Sequence, residues 1–192
     1  MGRPREFNLD NAVDTAVDLF WRNGYDKTSL TDLTQALKIT PPSFYFAFGS
    51  KEGLFKKVVE RYMAGQNEFL SEALRQPTSR GFVTRLLEGI ADLYSDPAHP
   101  GCLCGNSMSP CTEQNDPVQK ELAKWRAAFS KTLRQRFKQA KLDKDLPSDA
   151  DPDGLTQYVL IMGYGMALAA QSGASRKQLR LAVATALKTW PS

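Results

Sequence analysis

Histidine is almost absent from this chain, whose 192 residues include one, His99. The sequence also contains no G-x-S-x-G, no phosphate-binding loop and no H-E-x-x-H, the motifs that place a serine nucleophile, a nucleotide phosphate or a catalytic zinc ion. The sequence therefore offers few of the side chains that a hydrolase or a metal-dependent enzyme uses in catalysis. These absences predict a protein that is not an enzyme and that needs no cofactor.

Cysteine is scarce as well, and no apolar run is long. The three cysteines are odd in number, which fits a reducing compartment better than a framework of disulfides. The apolar run of residues 158–170 is shorter than the roughly 20 residues that cross a bilayer. The first residues lack the apolar stretch of a secretory signal. We therefore expect a soluble, cytoplasmic protein.

Neither sign of charge dominates the chain. The formal net charge is +4, and residues 1–60 carry eight basic and eight acidic side chains. This balance permits an anionic partner but does not indicate one by itself. A prediction of nucleic-acid binding must therefore rest on a motif.

Helical periodicity, in contrast, runs through most of the sequence. Apolar residues recur three and four positions apart, and no stretch alternates in the manner of a half-buried strand. This pattern predicts an all-α protein of about nine helices. The expected helices span residues 9–23, 30–37, 41–46, 51–74, 79–94, 102–113, 117–140, 152–171 and 176–189.

The second and third of these helices carry clear start signals. Ser29 and Asp32 stand in capping-box positions. Thr40 is a suitable N-cap, and Pro41 follows in the first turn, where its missing N–H costs nothing. The three residues between the two helices match the turn of a helix-turn-helix unit, whose second helix enters a DNA major groove.

The segment TSLTDLTQALKITPPSFYFAFGSKEGLF, which begins at residue 28, resembles the DNA-binding signature of the TetR/AcrR family of transcriptional regulators. The matching positions are Thr28, Leu33, Ala36, Thr40, Phe44, Tyr45, Phe48, Ser50, Lys51, Glu52 and Leu54. Two positions depart from the family pattern. Thr34 replaces a usual alanine, and Lys38 replaces a usual glycine, so that Lys38 must accept whatever backbone the turn needs.

The resemblance implies two domains and a role in transcription. Residues 1–50 would form a helix-turn-helix DNA-binding domain, and residues 51–192 a helical effector-binding and dimerisation domain. The protein would act as a homodimeric, ligand-responsive repressor on a double-stranded DNA operator. Its helical class alone leaves open an alternative of another kind, a helical protein-interaction module or an enzyme without DNA binding.

Four side chains of the motif suit phosphate contacts. Thr28 and Thr40 place hydroxyls and free backbone N–H groups at helix N-termini, where phosphate oxygens bind well. Tyr45 offers a phenol to phosphate, and Lys51 adds a positive charge. We expect these four residues to position the protein on the DNA backbone.

Four other residues are expected to reach the grooves. Pro42 and Ser43 lie at the start of the predicted recognition helix, within reach of base edges. Arg3 and Arg5 belong to a basic N-terminal arm that resembles the arm of many family members and would enter an adjacent groove. These residues are predicted to influence sequence preference.

The second domain is expected to hold an effector. The predicted pocket is apolar and aromatic, which favours an apolar or aromatic small molecule, although large apolar side chains are more often plain core. The expected lining residues are Phe82, Leu86, Tyr94, Met108, Trp125, Phe129, Tyr158 and Met162.

The resemblance further implies that the last two helices pair with those of a second copy. Small residues four positions apart would let these helices approach closely, and an apolar stripe follows on the last helix. The predicted interface residues are Gly163, Gly165, Ala167, Ala169, Leu179, Val183 and Leu187. Ordinary packing within the domain is the alternative interpretation of the same residues.

The stretch HPGCLCGNSMSPC, residues 99–111, carries all three thiols. Its spacing matches no structural zinc pattern, so no metal site is predicted. A thiol near a helix N-terminus has a lowered pKa and reacts with oxidants or electrophiles, which makes a thiol-based sensor using Cys102, Cys104 or Cys111 the alternative to a ligand-responsive regulator. Small buried cysteines with no chemical role would give the same pattern.

Overall fold

The computed structural model describes residues 8–107 and 117–191, except for the side chains of residues 66 and 67. Within these residues the chain forms nine α-helices and no strand, which confirms the all-α prediction. The helices are α1 (Leu9–Asn23), α2 (Leu30–Leu37), α3 (Pro41–Phe48), α4 (Lys51–Leu74), α5 (Ser79–Tyr94), α6 (Leu103–Asn106), α7 (Pro117–Leu142), α8 (Pro152–Gln171) and α9 (Arg176–Lys188).

Local start signals set most of the helix bounds. Ser29 accepts a hydrogen bond from the Asp32 amide at 3.1 Å, and the Asp32 carboxylate accepts from the Ser29 amide at 2.8 Å. Hydrogen bonds from the Ser29 hydroxyl and amide lower the pKa of Asp32. Thr40 caps α3, and Ser50 caps α4 by accepting from the Gly53 amide at 3.0 Å. Short-range hydrogen bonding therefore accounts for the order α2, turn, α3 and α4.

The sixth helix is shorter than the sequence pattern predicts. It is four residues long and ends at Asn106, whereas the prediction extended to residue 113. Residues 108–116, which include Met108 and Cys111, lie outside the part of the chain that the structure describes.

Lys38 forms the turn between α2 and α3 in a left-handed conformation, with φ 55° and ψ 42°. Its backbone N–H donates to the Gln35 carbonyl at 3.2 Å, and the following amide of Ile39 donates to Thr34 at 3.1 Å. A side chain in this conformation costs roughly 1–2 kcal/mol relative to glycine. The turn therefore places at residue 38 a side chain where glycine would be more favourable.

A small aromatic core holds α3 in place. Phe44 and Phe48 are buried one helical turn apart, and Phe44 shares its core with Leu33 of α2 and Phe20 of α1. Phe20 meets Phe55 of α4 edge-to-face, with ring centroids 5.1 Å apart. Because α4 also extends into the rest of the protein, its position fixes that of the recognition helix.

The remaining helices pack around α5. This helix contacts α4, α7, α8 and α9, while α7 also packs along α8 and α6 contacts α1. Asp92 of α5 binds both Arg176 and Arg180 of α9 at 2.6 Å. These guanidinium groups hold the pKa of Asp92 well below its usual range. None of the described helices is both long and apolar enough to cross a membrane.

Candidate DNA interface and effector cavity

The outer surface of α3 is unusually apolar. Phe46 is 96% exposed and Tyr45 is 52% exposed, although both are large aromatic residues. Pro42 and Ser43 are also exposed, at the first turn of the same helix. Phe46 is not among the residues predicted to contact DNA. Helical spacing predicts its exposure, because Phe46 lies two positions from both buried residues, Phe44 and Phe48, and so points to the opposite side of the helix.

Two hydroxyl groups are joined at the start of α3. Thr40 Oγ1 lies 3.0 Å from Ser43 Oγ, and the Ser43 amide donates to Thr40 Oγ1 at 3.4 Å. Both residues are exposed, so their hydroxyls remain accessible to a ligand. Tyr45 is oriented by an edge-to-face contact with Phe44, at a centroid distance of 5.8 Å.

The structure corrects the prediction for Thr28. This residue is fully buried, and its hydroxyl donates to the Gly24 carbonyl at 2.7 Å. Its backbone N–H donates to Tyr25 at 3.3 Å. With both donors used inside the protein, Thr28 shapes the connection between α1 and α2 and offers no group to phosphate.

Lys51 begins α4 and lies against an aromatic ring. Its Nζ is 4.1 Å from the centroid of Tyr25, a cation–π distance. The Tyr25 hydroxyl donates to Glu52 Oε1 at 3.0 Å. Hydrogen bonds from Ser50 and from the backbone, together with Tyr25, lower the pKa of Glu52. Lys51 is thus held against Tyr25, whereas Arg3 and Arg5 lie outside the described residues.

A cavity of about 200 Å³ lies among α5, α6, α7 and α8. Its walls are Ile90, Tyr94, Cys102, Cys104, Gly105, Trp125, Arg126, Phe129, Val159, Leu160, Gly163, Tyr164, Ala167, Leu168 and Gln171. The rings of Trp125 and Phe129 are stacked, with centroids 5.6 Å apart and an interplanar angle of 5°. The cavity therefore presents flat aromatic surface and few charged groups.

Three of the predicted pocket residues line this cavity, namely Tyr94, Trp125 and Phe129. Phe82 and Leu86 do not, because both are completely buried in the core around α5. Tyr158 and Met162 line a different depression, shared with α9 on the outer side of α8. The remaining predicted residue, Met108, lies outside the described residues.

Several predicted interface residues also face the interior. Gly163 and Ala167 line the cavity and are buried. Leu179, Val183 and Leu187 are 3%, 1% and 9% exposed, because this stripe of α9 packs towards α5. These five residues are core or cavity wall. Of the predicted interface residues, Gly165 is exposed and Ala169 is half-buried.

The exposed apolar surface of the last two helices is formed by other residues. Ile161 of α8 is 65% exposed and Leu181 of α9 is 66% exposed. Around them lie Tyr158, Met162, Gly165, Ala182 and Thr185. We call these seven residues the α8–α9 face. A Cβ atom built on Gly165 meets no atom within 4 Å, so this part of the face is open.

Two thiols lie together at the cavity wall. Cys102 and Cys104 are buried, and the Tyr62 hydroxyl donates to Cys102 Sγ at 3.3 Å. Hydrogen bonds from Cys104 and Tyr62 lower the pKa of Cys102, and the same contact raises the pKa of Cys104. Burial raises the pKa of Tyr62 and of Tyr94. Among the described residues, no cluster of three potential metal ligands occurs.

The segment that carries these thiols also contacts α1. His99 Nε2 lies 2.8 Å from Asp18 Oδ1 of α1, and its ring lies 4.9 Å from that of Trp21. Asn106 donates to the Trp21 carbonyl at 2.8 Å. Tyr62, the partner of Cys102, packs edge-to-face on Trp21 at 4.9 Å. The cavity wall and α1 are therefore joined by direct contacts.

Comparisons with known proteins agree with this arrangement. Residues 12–58 match the family model of bacterial regulatory proteins of the tetR family, and residues 80–187 match a tetracyclin repressor-like C-terminal domain. The chain is 30% identical to the HTH-type transcriptional repressor ComR of Escherichia coli K12, over 99% of this chain and 92% of ComR. It is 35% identical to the repressor BdcR of the same strain, over 64% of this chain and 61% of BdcR.

A solved structure is similar over almost the whole length. A cysteine-substituted form of the TetR family transcriptional regulator CifR, complexed with a 26-base-pair double-strand operator DNA, superimposes with a TM-score of 0.90. It shares 33% identity, and the match covers 99% of this chain and all of that one.

Proposed function

Because this chain belongs to the TetR family and is a DNA-binding transcriptional regulator, we propose that it is a homodimeric repressor released from its operator by a small apolar molecule. The observation that carries the proposal is the shared wall of the cavity. Residues of the α6 segment line the cavity and also bind α1, so that a change in one is transmitted to the other. The predicted division of the chain at residues 50 and 51 remains part of this proposal.

The DNA contacts follow from the exposed side of α3. Thr40, Tyr45 and Lys51 bind phosphates, because hydroxyl, phenol and ammonium groups are donors to phosphate oxygens. Pro42, Ser43 and Phe46 face the bases, where apolar groups contact thymine methyls and a hydroxyl bonds to base edges. Arg3 and Arg5 remain predicted contacts to an adjacent groove. A similar protein complexed with a 26-base-pair operator supports binding to duplex DNA.

The α8–α9 face is the surface that a second copy would cover. It exposes large apolar side chains, Ile161 and Leu181 among them, on the two helices farthest along the chain from α3. A single soluble protein gains stability by burying such a surface against another copy. Two-fold pairing through this face would present two recognition helices to two half-sites of DNA.

The cavity sets the class of effector. Its volume of about 200 Å³ is below the roughly 300–1,000 Å³ of pockets that hold drug-sized ligands. The stacked Trp125 and Phe129 rings favour a flat molecule, and the few charged walls favour an apolar one. A ligand releases DNA only if it binds the DNA-incompetent shape better, with a coupling of about 1–3 kcal/mol in typical allosteric proteins.

The decisive experiment selects duplexes from a random DNA pool with the purified protein. We expect one palindromic sequence to be enriched and its affinity to fall steeply with salt, because several phosphate contacts release counterions. A library of small apolar compounds is then tested for release of that operator. If no sequence is enriched, the proposed binding to an operator is wrong. If no compound changes operator binding, the proposed release by a small apolar molecule is wrong.

A further inference from the structure

The recognition helix of this protein has no charged side chain. The eight residues of α3, all within the described part of the chain, have the sequence PPSFYFAF, without arginine, lysine, aspartate, glutamate, asparagine or glutamine. These six residue types make the usual contacts that tell bases apart. Arginine or lysine binds guanine, asparagine or glutamine binds adenine, and an acidic group accepts from cytosine. The side chains of α3 therefore offer only hydroxyl and apolar groups to the base edges.

The hydroxyl groups at the start of α3 discriminate poorly between bases. Ser43 Oγ and Thr40 Oγ1 lie 3.0 Å apart and bond to each other, so that part of their bonding capacity is used within the protein. A hydroxyl both donates and accepts, and it therefore bonds to the edge of any base pair. Discrimination by α3 must come mainly from its apolar groups.

The exposed apolar groups lie on one side of the helix. Pro42 and Phe46 are both exposed and stand four positions apart, about one helical turn. Phe46 is 96% exposed, the highest value among the large apolar side chains that the structure describes. Cβ atoms at this spacing are about 5–6 Å apart, between one and two steps of about 3.4 Å along a DNA strand. The pair is thus spaced to contact two bases that are close together on one strand.

Charged and amide side chains near α3 belong to other elements. Gln35 and Lys38 are exposed on α2 and in the turn that follows it. In a helix-turn-helix unit the first helix crosses the DNA backbone, while the second lies in the major groove. Lys51 begins α4 and lies against Tyr25. These positions favour contacts to phosphates, which orient the protein without reading sequence.

The apolar group that a base pair presents in the major groove is the methyl group at C5 of thymine. Cytosine and uracil carry only hydrogen at this position, whereas 5-methylcytosine carries the same methyl group as thymine. Contact with this group is therefore the interaction by which the side chains of Pro42 and Phe46 can distinguish one base pair from another.

We propose that α3 recognises the 5-methyl groups of pyrimidines through Pro42 and Phe46, and that 5-methylcytosine can replace thymine at the contacted positions. The inference rests on the proposed function in one respect, that the protein binds an operator with α3 in the major groove. It names the chemical group that specifies the operator. It also makes binding sensitive to methylation of cytosine in the DNA.

The test uses the full-length protein and the duplex that it enriches from the random pool. Each T·A pair of a half-site is changed in turn to U·A, C·G or 5-methylcytosine·G, and fluorescence anisotropy measures the affinity at one salt concentration. At the contacted positions uracil should weaken binding about fourfold per methyl group, the factor equivalent to about 0.8 kcal/mol for a buried methylene-sized group. At the same positions 5-methylcytosine should bind more tightly than cytosine by a similar factor.

Matched variants separate direct contact from a change in DNA shape. Loss of a methyl group also alters the stacking of the DNA, but that effect does not depend on the side chain at residue 42 or 46. Phe46→Ala should therefore abolish the difference between T·A and U·A at one contacted position, and Pro42→Ala should abolish it at another. Tyr45→Phe keeps the ring that packs on Phe44 and removes a phosphate donor. It should weaken binding to all duplexes alike and keep the preference for the methyl group.

The outcomes distinguish this inference from the proposed function. Equal binding of the thymine and uracil duplexes at every position overturns the inference, and so does a methyl preference that persists in both alanine variants. A selected half-site without any A·T pair does the same. Each of these results leaves the proposed function intact, because the protein still selects an operator. If no sequence is enriched, the proposed function fails and this inference fails with it.

Discussion

Asn106 donates from its side-chain Nδ2 to the main-chain carbonyl of Trp21, across 2.8 Å. The same amide accepts a hydrogen bond at Oδ1 from Gln171, a cavity residue of α8. The Asn106 carbonyl also lies so near Gly24 that a Cβ atom there would be 2.6 Å from it. A single residue thus touches the cavity wall and the end of α1.

We expect Asn106→Ala to weaken the response to effector while operator binding by the free protein persists. Loss of a hydrogen bond worth about 0.5–1.5 kcal/mol would remove a large part of a typical coupling energy. Fluorescence anisotropy of the selected operator, titrated with a releasing compound from the library, measures the change. Gln119→Ala is the control, because Gln119 donates to Ser107 at 3.1 Å and not to α1. An equal loss of response in both variants would contradict the special role of Asn106.

Phe46→Ala should weaken operator binding without destabilising the fold. The side chain is 96% exposed, so its removal leaves no cavity in the core. A lost contact to a base edge costs about 1–3 kcal/mol of binding free energy. Binding is compared at one fixed salt concentration with that of Leu142→Ala, another exposed apolar residue, at the end of α7. If both variants bind like the wild type, Phe46 does not read DNA.

Leu181→Glu should convert the dimer to a folded monomer. A carboxylate on the α8–α9 face would be buried against an apolar partner surface and would have to lose its hydration. Sedimentation velocity at micromolar concentration measures the change, with circular dichroism to confirm that helices persist. Leu142→Glu carries the same substitution at a residue that is 75% exposed and lies outside the face. A wild-type protein that sediments as a monomer would refute the interface altogether.

Lys38→Gly should raise the free energy of unfolding by about 0.5–1 kcal/mol, since relief of the left-handed strain exceeds the extra entropy of unfolded glycine. Lys38→Ala keeps the Cβ atom and should therefore bring no such gain. Urea denaturation at pH 7 gives both values. A gain in the alanine variant equal to that in the glycine variant would show that backbone strain at φ 55° is not the cause.

Asp92→Asn should cost about 1 kcal/mol at neutral pH, a value limited by the partial exposure of the ion pairs with α9. Its folded-state pKa lies below the ordinary 3.8. The carboxylate therefore stabilises the fold fully above that ordinary pKa, and the contribution disappears as pH falls below it towards the lowered value. Denaturation at pH 7 and pH 3 should show the advantage of the wild type over the variant beginning to shrink, because pH 3 lies only just below the ordinary pKa. Asp149→Asn, at an exposed loop position, should show no such convergence.

Helix positions followed closely from the sequence because their signals are local. The capping residues Ser29, Thr40 and Ser50 each accept a hydrogen bond from the amide three residues further on, so no knowledge of the tertiary structure is required. Phe44 and Phe48 likewise lie on one buried side of α3 because they are four residues apart in a helix. The failure at Thr28 has the opposite origin. The side chain is completely buried, which depends on how the surrounding elements pack and not on local spacing.

The same limit explains the errors in the second domain. The small residues on α8 predicted that another helix approaches closely. In the structure Gly163 and Ala167 line the cavity instead. Gly165 lies on the opposite, open side of the helix. The apolar stripe of Leu179 and Val183 indicated packing, and the sequence could not specify α5 as the helix that it meets. Periodicity identifies a buried side but not the neighbour that buries it.

Only α8 separates the cavity from the α8–α9 face, so the two subunits of a dimer could respond to effector together. One side of this helix forms the cavity, and the other contributes Ile161 and Gly165 to the α8–α9 face. In the proposed dimer the two effector sites would be separated from the shared interface by no more than this helix. If effector binding at one site shifts α8, the affinity of the second site for effector would change. Operator release would then follow a sigmoidal curve in effector concentration, and the monomeric Leu181→Glu variant would bind effector along a simple hyperbola.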